Sequence, residues 1–298
     1  MVTVLALGAA LAYGAADFLG GAVARKSTAL KALAWCVPVG LGVVLTSAVF
    51  VGGRFTGDSL AWGFGGGVAG GTGLVTFYRA LARGPMSVVA PISALASSVL
   101  PVAVGALRGE RLDSTVLAGV LLCLVAIGLV SMENNDPGAG SHAPRDAGRG
   151  RWPRWLDGGP LMAGVSGGCF GVFFIMLKAA GDGGGLWPLV AARIGTLLVI
   201  GVAMLAVLRV RGRDTAPPVR GRLLVGLALL SGTLDAGANV LFFVAAQQGM
   251  LSLAAVLTSL YPAITVLLAR IAYSERLRVV QRLGLAVAVA GVALVTIG

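Results

Sequence analysis

Apolar and polar positions alternate along this chain in long blocks. Ten apolar runs recur, at roughly 2–24, 30–52, 59–82, 86–107, 114–132, 159–179, 186–208, 222–247, 250–272 and 279–298. A helix needs about 20 apolar residues to cross the hydrocarbon core of a bilayer. Each run therefore predicts one membrane-spanning helix. Short polar stretches separate them, with one exception, the segment from Glu133 to Asp157. It holds Asn134, Asn135, Asp136 and Pro137, then Arg145, Arg149, Arg151 and Arg154. Such a composition buries no core and predicts a solvated linker. The expected organisation is an all-α integral membrane protein with ten transmembrane helices. Residues 1–132 form one five-helix half, 133–157 the linker and 158–298 the second half.

The halves correspond. Shifting the sequence by 165 places Phe77 on Phe242, Ala80 on Ala245, Gly84 on Gly249 and Ser87 on Ser252. Ala90 then falls on Ala255, Leu95 on Leu260, Glu110-Arg111-Leu112 on Glu275-Arg276-Leu277 and Gly119 on Gly284, without a gap. Aliphatic coincidences mean little in membrane segments; the polar and glycine ones mean more. Five helices per half is an odd number, so the second copy must run upside down relative to the first. Inverted repeats of this kind are common in secondary transporters, whose sites lie near midplane where the repeats meet.

Composition agrees. The 298 residues are 57% hydrophobic and 12% charged, where a soluble domain carries about 25% charged residues. The 46 glycines suit close helix contacts inside a membrane. The formal charge of +11 comes from basic clusters between apolar runs, the pattern of loops beside anionic lipid. No reading helix or stacking platform suggests nucleic acid. Cys36, Cys123 and Cys169 lie far apart in apolar runs and read as small hydrophobes. His142, the only histidine, sits in the linker, so a histidine-based metal site or hydrolase triad has almost nothing to work with. The glycine runs at 65–67 and 70–73 lack the trailing lysine of a phosphate loop. Neither a cofactor motif nor an enzyme's nucleophile–base pair is visible. The first run lacks a basic n-region and reads as a retained helix.

The string Phe77-Tyr78-Arg79-Ala80-Leu81-Ala82-Arg83-Gly84-Pro85-Met86-Ser87-Val88-Val89-Ala90-Pro91 resembles the third-to-fourth helix junction of EamA domains, in the drug/metabolite transporter superfamily. Gly109-Glu110-Arg111 is similar to that family's Gly-Glu turn; in the second half, Ser274-Glu275-Arg276 has serine for the glycine. The resemblance implies ten helices, two EamA repeats and transport of small metabolites, often as export. It leaves the substrate open. It places the protein in a membrane, most plausibly the inner membrane of a bacterium, with the bilayer and a small molecule as partners and room for a homodimer. Lysine and arginine cluster after the first, third, fifth, seventh and ninth runs, which puts both termini outside, whereas family members are often drawn with both termini inside.

Polar groups at membrane depth are costly unless paired or wet, so they are the functional candidates. Tyr13 and Asp17 share one face of the first run at i, i+4 spacing. Asp235 and Asn239 do the same in the eighth, between glycines, with Gln247 and Gln248 near its end. Arg193 in the seventh run offers a fork of donors suited to carboxylate, and arginine at that depth is common in EamA domains. The expected substrate-binding set is Tyr13, Asp17, Ser97, Arg193, Asp235, Asn239 and Tyr261. Pro91 and Pro101 in the fourth run and Pro262 in the ninth would interrupt their helices and act as hinges, with Pro38 interrupting the second. The bland readings are an interfacial Asp17 paired with Arg25 or Lys26, a snorkelling Arg193 and an Asp235–Asn239 hydrogen-bonding clamp. A lipid flippase predicts a lateral opening between helices. A non-transporting scaffold predicts a closed, fully paired interior. A transporter predicts a polar chamber.

Overall fold

A computed structural model of the chain describes residues 1–54, 56–81, 86–110, 113–130, 159–211, 219, 221–273 and 279–297. The linker 133–157 and Ser274-Glu275-Arg276 lie outside these residues, as do Gly84, Arg111 and Leu112. The described elements are helices: α1 (Val2–Lys26), α2 (Ala29–Val51), α3 (Gly57–Leu81), α4 (Met86–Leu107), α5 (Ser114–Val130), α6 (Gly159–Ala179), α7 (Trp187–Arg211), α8 (Arg222–Gln248), α9 (Leu251–Thr258), α10 (Tyr261–Tyr273) and α11 (Val279–Ile297). Among the described residues five helical segments are long and apolar enough to cross a membrane: Val2–Ala24, Leu30–Val51, Leu161–Ala179, Trp187–Arg209 and Arg222–Gln248.

The ninth run is interrupted beside Pro262, as expected, and forms two helices. The chain turns at Ser259 and Leu260, then restarts at Tyr261. Pro262 is the second residue of α10, where a missing N–H leaves no helical bond unmade. The other prolines do not interrupt their helices, contrary to expectation. α4 runs unbroken through Pro91 and Pro101, and α2 through Pro38. A membrane helix tolerates proline when neighbouring helices and hydroxyls hold it. Between the two prolines of α4 the hydroxyls of Ser97 and Ser98 both donate to the Ala94 carbonyl, at 2.8 and 2.9 Å, a carbonyl that neither proline frees.

Packing joins the halves more than it holds each together. α1 lies along α8, and α6 along α3. α3 packs on α7, and α8 on α2; α4 packs on α6, while α9 and α10 pack on α1. α5 packs on α11. Each contact has its counterpart when the halves are exchanged. Gly67 and Gly232, which the 165-residue shift superposes, show how close the approach is. A Cβ at Gly67 would collide with the Ala192 carbonyl oxygen of α7, and one at Gly232 with the Cys36 carbonyl oxygen of α2. Hydroxyls then bond across the seam. Ser166 donates to Gly73 O at 2.8 Å, Thr196 to Gly67 O at 3.0 Å, Ser231 to Ala16 O at 2.8 Å and Thr265 to Gly14 O at 3.1 Å. Small residues and hydroxyls are what associate helices where no water drives them together. The outside is correspondingly apolar: Leu11, Phe50, Leu107, Leu205, Ile271 and Val289 are all exposed.

One end of the bundle carries a polar clasp. Glu110, just past α4, accepts from the backbone N–H of Leu251 (2.8 Å) and Ser252 (3.2 Å), and from the Ser252 hydroxyl. These are the unpartnered first-turn donors of α9, where a carboxylate also meets the positive end of the helix dipole. Nearby, Lys178 donates to the carbonyls of Ala246 and, at 2.9 Å, Gly249, closing the end of α8. Gln247 returns the contact, donating to Leu177 O at 2.9 Å and Lys178 O at 3.2 Å.

Candidate functional site

A cavity of about 190 Å³ lies between the two halves, far more than the ~30 Å³ share of one water. Helical spacing carries the polar groups to its wall. On α1, Tyr13, Asp17 and Gly20 recur at steps of four and three and so share a face. On α8, Ser231, Asp235 and Asn239 do the same, and on α7 Arg193 and Thr196. α4 contributes Ser97 and α10 contributes Tyr261 at its first residue. The cavity thus gathers all seven residues of the expected binding set.

Their interactions differ. Arg193 is buried, at 8% exposure, and its Nη2 lies 2.5 Å from Asp235 Oδ2. The approach is out of line with the N–H directions, so the contact is an ion pair and not an aligned hydrogen bond. A Cβ at Gly40 would lie 3.3 Å from Arg193 Cζ, so the guanidinium rests against α2. Asn239 donates to the backbone carbonyl of Asp235 at 2.7 Å and not to its carboxylate. The side chain of Asp17 is open to the cavity. Among the described residues no hydrogen bond or ion pair reaches its carboxylate, so the interfacial pairing with Lys26 is not what the structure displays. The Tyr13 and Tyr261 rings meet edge to face, with centroids 6.3 Å apart.

Sequence reasoning missed the aromatic wall. Phe170, Phe173 and Phe174 of α6 and Phe77 of α3 line the cavity. Their i, i+3, i+4 spacing on α6 was the available signal. Cys36 and Thr196 also line it, as does Gly70 of α3, where a Cβ would lie 3.2 Å from Phe173 Cδ2. Gln247 is spent on α6 at the clasp. Trp35 is 44% exposed and lies off the wall, although its neighbour Cys36 is on it.

Residues 158–297 match the EamA-like transporter family. The chain carries an EamA domain. This family belongs to the drug/metabolite transporter superfamily and consists of membrane transporters, and the match together with the long apolar helices makes the apolar exterior a lipid-facing surface of a multi-pass membrane protein. No curated protein matches the chain. One solved structure, titled only as the crystal structure of a protein, aligns with a TM-score of 0.74 and 19% identity, over 99% of this chain and 96% of that one. At that identity the likeness establishes the fold, which the EamA protein shares along essentially its whole length.

Proposed function

We propose that this EamA protein is a secondary transporter, and an exporter, of a small polar or amphipathic metabolite. In this reading the ten apolar runs are ten spans, and the halves are inverted five-helix repeats. The reciprocal packing of α1 on α8 and α6 on α3 supports that arrangement. Tyr13, Asp17, Ser97, Arg193, Asp235, Asn239 and Tyr261 bind the substrate. Pro91, Pro101 and Pro262 serve as the flexible points of α4 and of the α9–α10 break.

One observation carries the reading. The interior holds a chamber at the seam between the halves, with an open carboxylate and an ion pair on a largely apolar wall. A charge inside a membrane needs a partner or water. A scaffold would close such groups into a paired network; here the Asp17 side chain faces the chamber. A flippase would need a lateral path for acyl chains, whereas the described polar groups are gathered in the interior. Alternating exposure of the chamber, first to one side and then the other, would carry a bound molecule across. Coupling to protons is part of this reading, with the open carboxylate of Asp17 as the group that faces the chamber.

Reconstituted proteoliposomes test this. Substrate counterflow should be present in the wild type and lost in the Asp17→Asn/Asp235→Asn double variant, with both proteins monodisperse. Full transport by the double variant rejects the chamber as the site.

A further inference from the structure

We propose that the chamber takes an organic monocation, a protonated amine on an aromatic or compact apolar body, with Asp17 as its counter-ion. The inference rests on the reading of the chamber as the substrate site.

Charge comes first. Among the described residues of the wall, three are charged groups: Asp17, Asp235 and Arg193. Arg193 is matched to Asp235 at 2.5 Å and held against α2. Such a pair is neutral as a unit, and separating it strands a charge in a low-dielectric interior. Asp17 is the remaining charge, so the chamber with Asp17 ionised carries a net single negative charge. That surplus attracts one cation and repels an anion. A carboxylate ligand would have to share Arg193 with Asp235 and approach Asp17 as well.

The wall then selects the kind of cation. Tyr13 lies one turn from Asp17, and Tyr261 meets Tyr13 edge to face. Phe170 and Phe173 complete an apolar side. Aromatic faces attract ammonium groups and pack against apolar bodies. A bare metal ion would want several oxygen ligands, and the described residues include no cluster of acidic, histidine or cysteine side chains able to hold one.

Four probes of one shape separate the alternatives: 2-phenylethylammonium, 3-phenylpropanoate, phenylalanine and 2-phenylethanol. Binding to the purified full-length protein is measured by calorimetry. The ammonium should bind at least tenfold tighter than the alcohol and far tighter than the carboxylate or the zwitterion. Asp17→Asn should remove the tenfold advantage of the ammonium over the alcohol. Tighter binding of carboxylate or zwitterion, equal binding of ammonium and alcohol, or binding of no probe overturns the assignment. The wild-type ranking decides the matter even where Asp17→Asn does not fold. Counterflow of radiolabelled 2-phenylethylammonium separates the two readings. A probe that binds in the predicted order but is not carried sinks the transport reading and leaves the ligand class standing.

Discussion

α3 and α8 occupy equivalent places in the two halves. Gly67 of α3 brings that helix against α7, and Gly232 of α8 brings its helix against α2. The 165-residue shift superposes these two glycines. Along the cavity wall the same shift pairs Gly70 with Asp235 and Leu74 with Asn239. One helix presents a glycine and an apolar side chain where the other presents a carboxylate and a carboxamide. The contact that builds the seam is therefore shared, while of these two helices only α8 carries polar groups at those positions. Physical cost explains the asymmetry. A carboxylate at Gly70 would add a further charge to a chamber that already holds one without a partner, and each buried charge in a membrane is expensive.

The largest expected effect breaks the shared part. Gly67→Ala and Gly232→Ala each force a methyl group into a backbone carbonyl that has no side-chain freedom to yield. Overpacking of this kind costs about 1–3 kcal/mol, and both variants should melt clearly below the wild type in detergent. Tolerance of one and not the other would mean that the two seams are not equivalent.

A second effect acts on the unshared part. Arg193→Ala leaves Asp235 without its cation. Removing one partner from a buried pair costs about 3–5 kcal/mol; Asp235 is about one-third exposed to the chamber, so solvent screening reduces this, to about 2 kcal/mol. Arg193→Ala/Asp235→Asn should recover stability relative to Arg193→Ala alone. A melting-temperature cycle that is strictly additive would remove the ion pair as a stabilising unit.

The smallest effect copies α3 onto α8. Asn239→Leu gives α8 the residue that α3 carries at that position. It removes one hydrogen bond, to the Asp235 carbonyl, and should cost at most about 1 kcal/mol. Calorimetry should nonetheless register a changed affinity for whichever probe the wild type binds. An unchanged affinity would confine the site to the charged groups.

Much of the architecture was legible in the pattern of residues. Apolar run lengths mark the helices because hydrocarbon thickness sets how many residues a span needs. The polar face of α1 and that of α8 were legible because helical spacing collects Tyr13 with Asp17 and Asp235 with Asn239. The break between α9 and α10 was legible at Pro262, but proline content alone misleads elsewhere, since Pro91 and Pro101 sit in an unbroken α4 and Pro38 in an unbroken α2. Whether a proline breaks a membrane helix depends on what surrounds it. The phenylalanines of α6 were hidden for a related reason, since an aromatic in an apolar run looks the same whether it meets lipid or a cavity.

Residue order alone determined the helical content and which side chains are too polar to face lipid. Those follow from period and hydropathy, which are local. Tertiary structure alone decided that Arg193 pairs with Asp235 and that Asp17 is left open, because these groups stand on α7, α8 and α1, and their meeting depends on where helices cross. It also decided that Glu110, which reads from the sequence as part of a turn, clasps the start of α9. Everything proposed about function rests on that meeting of distant helices around a space they do not fill.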